Sequence, residues 1–510
     1  MSERLQKAVA STIEAGYQFD RGAFAFLETL SKVEDPVGLM EKIVKKIDGL
    51  EQKPLYITRG FLEESMTRPN EDEIDAFQDL PSPLESKRQS FKPYAEQIEP
   101  DVKVLDDPTA TAGTTGDVEE YQDYFLDRFN RLEKFLRQRM DVKDATSIQN
   151  ALKATTNSKV KIIGMLSEKR DSKQRTFLRL EDPQASVTVL VYPDLESSVR
   201  ERVQSLLLDQ VVCISAVKTR NDLLILEDVY YPEIPEKKPR RASDAVYAAL
   251  ISDLHVGSRQ FMREEFNRFL LWLNGKLGDS SWREVASHVK YVVIAGDIVD
   301  GIGIYPQQVK ELSIRDIHRQ YFAASKYLEQ IPDYIQLIIS PGNHDASRKA
   351  LPQPSIPKDY AEPLFETHDL ISTGNPCTLS LHGVELLLYH GRSLDDVIAN
   401  GPNMSPKNPE KAMRLLLQCR HLAPIYGQRT PIAPGKRDPL VIDRVPDIFH
   451  AGHVHVYGHE KYRGVLIVNS GAWQQQTEYM RRMGLRPTPG IVPIVNLQTL
   501  QLTTLDFTSH

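Results

Sequence analysis

The second half of the chain contains apolar segments that each stop at a histidine, an acidic residue or an asparagine. Five of these segments read YAALIS, YVVIA, IQLIISP, VELLLY and IFHA. The polar side chains that follow them are Asp253, His255, Asp297, Asp300, Asn343, His344, Asp345, His390, His453 and His455. Short apolar segments that alternate with helical patterns predict an α/β or α+β sandwich with its chemistry at the strand ends. We expect this domain to span residues 246–510.

The residue types at these strand ends indicate a site for divalent metal ions. Imidazole and carboxylate groups suit Mn, Fe, Zn or Ni, and no cysteine stands among them. In D-x-H at Asp253 and H-x-H at His453, alternate residues of an extended segment would point to the same side and present two ligands together. A single histidine after a strand is more often a satisfied core residue than a ligand. Five such elements in this order favour metal binding over that interpretation.

The series D-x-H, GD-x-x-D, GNHD, H and GH-x-H resembles the motifs of the calcineurin-like metallophosphoesterase superfamily, over residues 245–475. The resemblance implies two divalent ions, with Mn²⁺ expected first and Fe, Zn or Ni as alternatives. It assigns Asp253, His255 and His455 to one ion. It assigns Asn343, His390 and His453 to the other ion, and Asp297 to both.

The same resemblance implies that His344 is not a ligand but the acid that faces the scissile phosphate. Asp300 or Asp345 would orient it, or would contact phosphate. Arg392 follows His390 closely in the chain. We expect Arg392 either to contact phosphate or to form a structural salt bridge.

Further segments resemble a narrower family, the small subunits of archaeal family-D DNA polymerases. They read VDGIGIYPQQ, SPGNHD, YHGRSLDD and HLAPIYGQRTPIAP, and this resemblance covers nearly all of residues 119–510. It implies a 3′→5′ proofreading exonuclease that acts on the 3′ end of DNA. It also implies a heterodimer with the large catalytic subunit of the polymerase. The chain itself would contact the sliding clamp only indirectly.

Two other functions are compatible with the motifs. One is a phosphomonoesterase or protein phosphatase of the same superfamily, although such enzymes need no additional β-barrel or helical module. The other is a mainly structural B-subunit that holds the large polymerase subunit.

Charge and cysteine content restrict where and how the chain works. A protein that holds nucleic acid by bulk attraction is basic, whereas this chain has a net charge of −7. Contact with DNA would therefore be local, mediated by metal ions or supplied by a partner. Three widely spaced cysteines favour a reducing compartment, so we expect a cytoplasmic, nucleoid-associated protein. No run of 18 apolar residues predicts a membrane span.

The 510 residues suggest about three domains. Strand-like segments with a helical stretch between the third and the fourth predict an OB-fold barrel over residues 158–235. The polar, Pro- and Ser-rich stretch 67–118 predicts a flexible linker. The remaining predicted parts are a helical bundle over residues 1–66, a helical connector over 119–157 and a basic linker over 236–245.

Overall fold

The computed structural model describes residues 3–15, 17–19, 22–24, 27, 36–48, 56–58, 91–172, 175–367 and 369–509. The chain divides into two compact units, residues 1–78 and 79–510. Each helix in the described ranges is too short or too polar to traverse a bilayer.

The first unit contains two helices and a pair of very short parallel strands. They are α1 (Glu3–Glu14), β1 (Gln18–Phe19), α2 (Pro36–Asp48) and β2 (Tyr56–Ile57). Its core consists of Leu5, Ala8, Tyr17, Ala23, Leu27, Met40, Ile43, Ile47 and Ile57. Both helices lie within the stretch predicted to form a helical bundle, and the bundle itself stays a prediction. The strand pair has no sequence signal, because two residues are too few to show a period.

The second unit is built from short strands with helices between them. Its strands are β3 (Val102–Asp106), β4 (Lys159–Ser172), β5 (Arg175–Glu181), β6 (Ser186–Val191), β7 (Val211–Lys218), β8 (Leu223–Tyr230), β9 (Tyr247–Ile251), β10 (Val289–Ala295), β11 (Gln336–Ser340), β12 (Leu370–Ser372), β13 (Cys377–Leu381), β14 (Val384–Leu388), β15 (Ile448–Ala451), β16 (Gly458–Tyr462), β17 (Val465–Asn469), β18 (Ile491–Asn496) and β19 (Leu502–Asp506). Its α-helices are α3 (Val118–Arg137), α4 (Ile148–Lys153), α5 (Ser197–Gln204), α6 (Arg263–Leu273), α7 (Ser280–Ser287), α8 (Ile317–Leu328), α9 (Lys358–Thr367), α10 (Leu394–Asn400), α11 (Pro409–Cys419) and α12 (Glu478–Arg482).

Strands β4 to β8 form a closed barrel with the neighbour order β4-β5-β6-β8-β7. Helix α5 lies between the third and fourth of these strands, so the predicted strands and the helix between them are confirmed. Alternate residues of β5 and β6 face the barrel core, for example Leu178, Leu180, Val187 and Val189. The assignment of this barrel to the OB-fold stays a prediction.

Two six-stranded sheets form the rest of the unit, which we call the two-sheet body. Their strand orders are β12-β11-β10-β9-β18-β19 and β16-β17-β15-β14-β13-β3. In the first sheet, β9 to β12 run parallel, and in the second β14, β15 and β17 run parallel. The carboxyl ends of these parallel strands carry the polar residues identified in the sequence.

The two sheets pack against each other through one shared core. Val293 of β10 and Ile448 of β15 belong to it, as do Leu386 and Leu388 of β14. The intervening Leu387 belongs to a second core on the opposite face of its sheet, together with residues of α11. Strands that are buried on both faces read as continuous apolar runs, which explains why these segments lack polar alternation.

The predicted flexible linker does not hold for residues 91–117. Strand β3 pairs antiparallel with β13 and forms the edge of the second sheet. Asp107, just after β3, accepts a hydrogen bond of 3.1 Å from the amide of Gly374. An edge strand is held by main-chain hydrogen bonds to its neighbour, and Val102 of β3 also packs against the core that the two sheets share. Residues 67–90 of the predicted linker lie outside the described residues.

Helix α3 connects the barrel to the two-sheet body. Its apolar side chains Phe129, Leu132 and Leu136 share a core with Cys213 of the barrel and Val441 of the body. The predicted helical connector over 119–157 consists of α3 and α4, and α4 packs into the barrel core.

The basic linker predicted over residues 236–245 is docked by ion pairs. Lys237 Nζ lies 2.6 Å from Oδ1 of the buried Asp447. Arg240 Nη1 lies 3.0 Å from Glu385 Oε2 and 3.4 Å from Asp447 Oδ2. These two cations are compensated by carboxylates within the chain.

Candidate metal centre

All seven predicted ligands meet at one edge of the two-sheet body. Three groups of side chains bring one possible ligand atom of each member within 4.8 Å of the others. These groups are Asp253, His255 and His455; Asp297, His390 and His453; and His255, Asp297 and His344. Asn343 joins the second group, since its Oδ1 lies 2.9 Å from Nε2 of His390. The first two groups, together with Asn343, contain the seven residues that the resemblance assigns to two ions, and the third group adds His344.

Asp297 lies between the two sets. Its Oδ2 is 3.4 Å from Nε2 of His390 and 3.8 Å from Nε2 of His255. Its Oδ1 accepts a hydrogen bond of 2.8 Å from the amide of His344. The side chain is 1% exposed. One carboxylate oxygen therefore faces a histidine of each set, which is the position that a bridging ligand requires.

The first set contains a carboxylate oxygen that is buried and accepts no hydrogen bond from the described residues. This atom is Oδ1 of Asp253, and its nearest imidazole nitrogen is Nε2 of His455, at 3.4 Å. His455 Nε2 in turn lies 3.0 Å from His255 Nε2. A buried charged oxygen normally has a partner. The donor set fits a divalent cation, which would satisfy this oxygen and the two imidazole nitrogens together.

The second set is oriented by groups behind it. Nδ1 of His390 donates a hydrogen bond of 2.8 Å to the carbonyl oxygen of Ala295, which leaves Nε2 on the side of Asp297. Nε2 of His453 lies 3.3 Å from Oδ2 of Asp395 on α10. Such contacts fix the tautomer and the ring orientation of metal-binding histidines.

The charges in this cluster depend on each other. Burial lowers the pKa of His390, but the charge of Asp297 outweighs it and raises the pKa to about 9. Burial raises the pKa of Asp297, but His390 and His344 hold it well below its usual value. The cluster therefore attracts positive charge beside Asp297, which a proton supplies on His390 and which a divalent ion would supply more strongly.

The backbone at five of the seven ligands is left-handed. The φ angles are 53° at Asp253 and His255, 54° at Asp297, 69° at His453 and 61° at His455. The expectation that D-x-H and H-x-H are extended segments is therefore wrong. A turn at each ligand, rather than strand alternation, brings the pairs together. Positive φ at non-glycine residues is uncommon and concentrates at functional sites.

Glycines next to the ligands allow the strand ends to approach closely. A Cβ atom at Gly342 would lie 2.1 Å from Asp297 Oδ1, and one at Gly452 would lie 2.5 Å from Asp253 Oδ2. Only a residue without a side chain fits at these two positions.

His344 lines the cleft beside these ligands and is 14% exposed. Its Nδ1 donates a hydrogen bond of 2.7 Å to the carbonyl oxygen of Asp300, and its Nε2 lies 3.9 Å from Asp297 Oδ2. Burial lowers the pKa of His344 to about 4. The ring therefore presents Nε2 as its free nitrogen.

Asp300 and Asp345 orient other groups and do not reach the cleft. The carboxylate of Asp300 lies 3.0 Å from Nδ1 of His255 and accepts hydrogen bonds from Gln474 and Gln308. The carboxylate of Asp345 accepts hydrogen bonds of 2.8 Å from the amides of Asp297 and Gly342. Both carboxylates are 1% exposed or less. Their contact with phosphate stays a prediction. The contact of Asp300 with the His344 ring is made by its backbone carbonyl oxygen.

Arg392 lines the cleft, and its Nη1 lies 3.9 Å from Oδ2 of Asp395. Its predicted contact with phosphate stays a prediction. Lys349 also lines the cleft and donates a hydrogen bond to the carbonyl oxygen of Asn343. Arg348, the residue before Lys349, does not line the cleft. Its guanidinium donates hydrogen bonds to the backbone carbonyl oxygens of Ala112 and Pro352.

The cleft has a volume of about 600 Å³. Besides the ligands, it is lined by side chains from the loop after β10 and from the segment around α12, among them Tyr305, Thr477, Tyr479, Met480, Met483 and Leu485. Sequence reasoning missed Asp395, Lys349 and this aromatic and apolar wall. Asp395 and Tyr305 lie in two segments that carry the resemblance, YHGRSLDD and VDGIGIYPQQ, and Lys349 is a cation four residues after the GNHD motif ends at Asp345.

Comparison with known proteins identifies relatives along most of the chain. Residues 248–458 match the family model for the B subunit of DNA polymerase alpha/epsilon. The DNA polymerase II small subunit of Methanothermobacter thermautotrophicus is 36% identical over 93% of this chain and 95% of its own length. That of Archaeoglobus fulgidus is 37% identical over 89% of each chain. That of Methanocaldococcus jannaschii is 39% identical over 81% of this chain and 70% of its own. The chain therefore belongs to the family of archaeal DNA polymerase II small subunits.

Proposed function

We propose that the chain is a 3′→5′ proofreading exonuclease that hydrolyses DNA phosphodiesters at a centre of two divalent metal ions. The observation that carries this proposal is the position of Asp297. A single buried carboxylate oxygen faces a histidine from each of two ligand sets, 3.8 Å and 3.4 Å away. Two-metal hydrolases need such a shared ligand, because their ions lie about 3.5–4 Å apart.

The proposed ligands are those of the two sets, with Mn²⁺ as the first candidate ion. One ion would be held by Asp253, His255 and His455, the other by Asn343, His390 and His453, and Asp297 would contact both. Two divalent ions held there would lower the pKa of a water molecule and offset the negative charge that develops on phosphorus. This local positive charge also allows a chain of net charge −7 to bind DNA.

The reaction exchanges one bond to phosphorus for another. The oxygen of water binds phosphorus, the bond to the 3′ oxygen of the preceding nucleotide breaks, and that oxygen takes up a proton. His344 is the group placed to supply this proton, because it lines the cleft beside Asp297 and the resemblance does not count it among the ligands. Burial lowers its pKa, and the negative charge of a bound phosphodiester acts in the opposite direction. The released product is a 5′-mononucleotide.

The remaining architecture supports a role in a larger assembly. A small subunit implies a large-subunit partner, and we propose that the chain docks the catalytic subunit of the polymerase. We also propose that the barrel is an OB-fold and that the two-sheet body is a metallophosphoesterase domain. The order of β4 to β8 and the parallel strands that end at the ligands support these two assignments.

The test is degradation of 5′-labelled primers with paired and mismatched 3′ ends, in Mn²⁺, by the chain alone and with its large subunit. We expect stepwise shortening from the 3′ end, faster at the mismatch, and none with Asp297→Ala. Absence of shortening in both preparations, with metal bound, would contradict the proposal. Hydrolysis of p-nitrophenyl phosphate without degradation of DNA would indicate a phosphomonoesterase instead. Stable association with the large subunit and no hydrolysis would indicate a structural subunit.

A further inference from the structure

Two stacked tyrosines stand in the wall of the cleft, and the proposed hydrolysis does not use them. The rings of Tyr305 and Tyr479 have centroids 5.2 Å apart and an interplanar angle of 28°. The centroid of the Tyr305 ring lies 6.5 Å from that of His344. Tyr479 is 44% exposed. The pair, which we call the tyrosine platform, therefore extends from His344 to the rim of the cleft.

Tyr305 is held in place by the residues around the metal ligands. Gln308 donates hydrogen bonds to the carbonyl oxygen and the carboxylate of Asp300, at 2.8 and 3.1 Å. Its Oε1 accepts a hydrogen bond of 2.9 Å from the amide of Ile304. The Tyr305 hydroxyl also donates to Glu311 Oε2, at 3.3 Å. The ring is thus positioned before any ligand arrives, which reduces the entropy that binding would cost.

The wall that contains the platform is apolar, whereas the region near His453 is cationic. Ile304, Met480, Met483 and Leu485 line the cleft with the two tyrosines. Lys349, Arg392 and Arg429 also line it, and Arg392 lies 3.9 Å from the carboxylate of Asp395, the partner of His453. A nucleotide strand needs both features, since its phosphates seek cations and its bases stack on aromatic rings.

We propose that Tyr305 and Tyr479 bind the base of the nucleotide whose 3′ oxygen leaves during hydrolysis. This inference rests on the proposed exonuclease function and adds the subsite that positions the strand. His344 would protonate the leaving 3′ oxygen. The platform next to His344 therefore lies on the side of the scissile phosphate that belongs to the remaining strand, not to the released nucleotide. A base can stack there only when it is unpaired, so the platform selects ends at which the last two nucleotides have frayed.

The proposal is tested in the full-length chain by combining one protein variant with one altered substrate and comparing their separate and joint effects, as in a double-mutant cycle. The substrates are 5′-labelled single strands in Mn²⁺, with either a natural or an abasic nucleotide second from the 3′ end. Loss of one stacked base weakens binding about tenfold. We expect Tyr479→Ala and the abasic substrate each to raise KM by about this factor, and the two together to raise it no further than either alone. The value of kcat and the metal content should stay near those of the wild type, since the platform binds the substrate uniformly.

Two further variants serve as matched controls. Tyr479→Phe keeps the ring and should restore the wild-type KM. Tyr360 is 42% exposed and its ring stacks on that of His318 with centroids 5.2 Å apart, on a helix that does not line the cleft. Tyr360→Ala should therefore leave KM unchanged on both substrates. An abasic nucleotide sixth from the 3′ end should likewise have no effect.

A binding measurement separates failure of this proposal from failure of the exonuclease function. Fluorescence anisotropy would give the Kd of the same strands with a methylene group in place of the last bridging 3′ oxygen, which prevents hydrolysis. The proposed base contact would be overturned if Tyr479→Ala and the abasic nucleotide multiplied each other's effects on KM and Kd. It would also be overturned if neither change affected KM or Kd. If neither the chain alone nor the chain with its large subunit shortens any strand, the exonuclease proposal fails. The same comparison of Kd values still decides whether the platform binds a base.

Discussion

Oδ2 of Asp395 lies 3.3 Å from Nε2 of His453, and this contact joins helix α10 to the second ligand set. Burial raises the pKa of Asp395, but the facing His453 outweighs it and lowers the pKa to about 2. The carboxylate is therefore ionised at neutral pH and contacts the imidazole ring from the lining of the cleft. Asp395 precedes the buried Asp396, which accepts hydrogen bonds from Thr430 and has a separate structural role.

We expect Asp395→Asn to weaken binding of the second metal ion and to spare the first. Removal of a carboxylate behind a metal-binding histidine typically lowers metal affinity about 10- to 100-fold. Calorimetric titration of the metal-free chain with Mn²⁺ would resolve the two sites. Asp359→Asn, an exposed position in the first turn of α9, is the control. Equal loss at both sites, or at neither, would contradict the role of Asp395.

His344→Ala and Asp297→Ala should separate hydrolysis from metal binding. We expect His344→Ala to retain both ions and to lose about 10²- to 10⁴-fold in hydrolysis, the usual contribution of a general acid. Asp297→Ala should lose proper occupancy of both sites, because its carboxylate faces a histidine of each set. Metal analysis beside the primer assay checks both. An active His344→Ala variant, or full metal content in Asp297→Ala, would refute the assigned roles.

Gly342→Ala should abolish metal binding without unfolding the chain. The added Cβ would lie 2.1 Å from Oδ1 of Asp297, 2.5 Å from its backbone nitrogen and 2.7 Å from Cε1 of His390, so both ligands would be displaced. The measurement is Mn²⁺ bound per chain after gel filtration, with far-UV circular dichroism as the test of folding. Gly113→Ala is the control, because no atom lies within 4 Å of a Cβ atom at that position. Wild-type metal content in Gly342→Ala would show that the strand ends can separate.

Arg128→Ala should destabilise the second unit more than any surface ion-pair variant on the same helix. Arg128 Nε lies 2.7 Å from Asp438 Oδ2, and both side chains are at most 1% exposed. Removing one partner of a buried ion pair costs about 3–5 kcal/mol, because Asp438 then stays buried and charged with the neutral His421 in place of a cation. Glu133→Gln, which breaks the half-exposed pair with Arg137 on α3, should cost less than about 1 kcal/mol. Chemical denaturation measures both, and equal effects would contradict the importance of burial.

His421 should make the stability of the second unit depend on pH between about 6.5 and 4. Its Nε2 donates to Asp438, at 2.7 Å, and its Nδ1 accepts from the amide of Ala423, at 3.0 Å, so a second proton has no acceptor. Burial, aided by the charge of Arg128, lowers its pKa to about 4. The unfolded chain then binds the proton more tightly than the folded chain, so stability is lost as pH falls through this window, by about 3 kcal/mol.

The control for this pH dependence is His421→Gln, which cannot take up a proton. The difference in unfolding free energy between the wild type and this variant should shrink as pH falls from 6.5 to 4. A difference that stays constant over this range would mean that His421 does not titrate upon unfolding.

The sequence predicts the ligand side chains well because their signal is local. A strand buried on both faces is a continuous apolar run, and the polar residue after it must lie at the sheet edge. This reasoning places Asp253, Asp297 and His390 without knowledge of the strand order. It does not give their left-handed backbone, because φ depends on how neighbouring strand ends crowd each other.

Groups that act from elsewhere in the chain left no such signal. Asp395 is an ordinary acidic residue of a short helix until folding brings it to His453. Tyr305 and Tyr479 are 174 positions apart in the sequence and meet only in the cleft. Strand β3 pairs with β13 more than 270 positions later. Long-range partners of this kind are set by topology rather than by periodicity.

Strand β3 gives the chain a nested topology. The chain enters the two-sheet body at β3, leaves it to build the barrel, and returns to it at β9. The barrel is therefore covalently tethered at both of its ends to the same body, whereas a domain on a single tether is free to reorient. A binding surface on the barrel would therefore have a limited range of orientations relative to the cleft. A fragment that starts at residue 119 or 246 would also lack the edge strand that closes the second sheet.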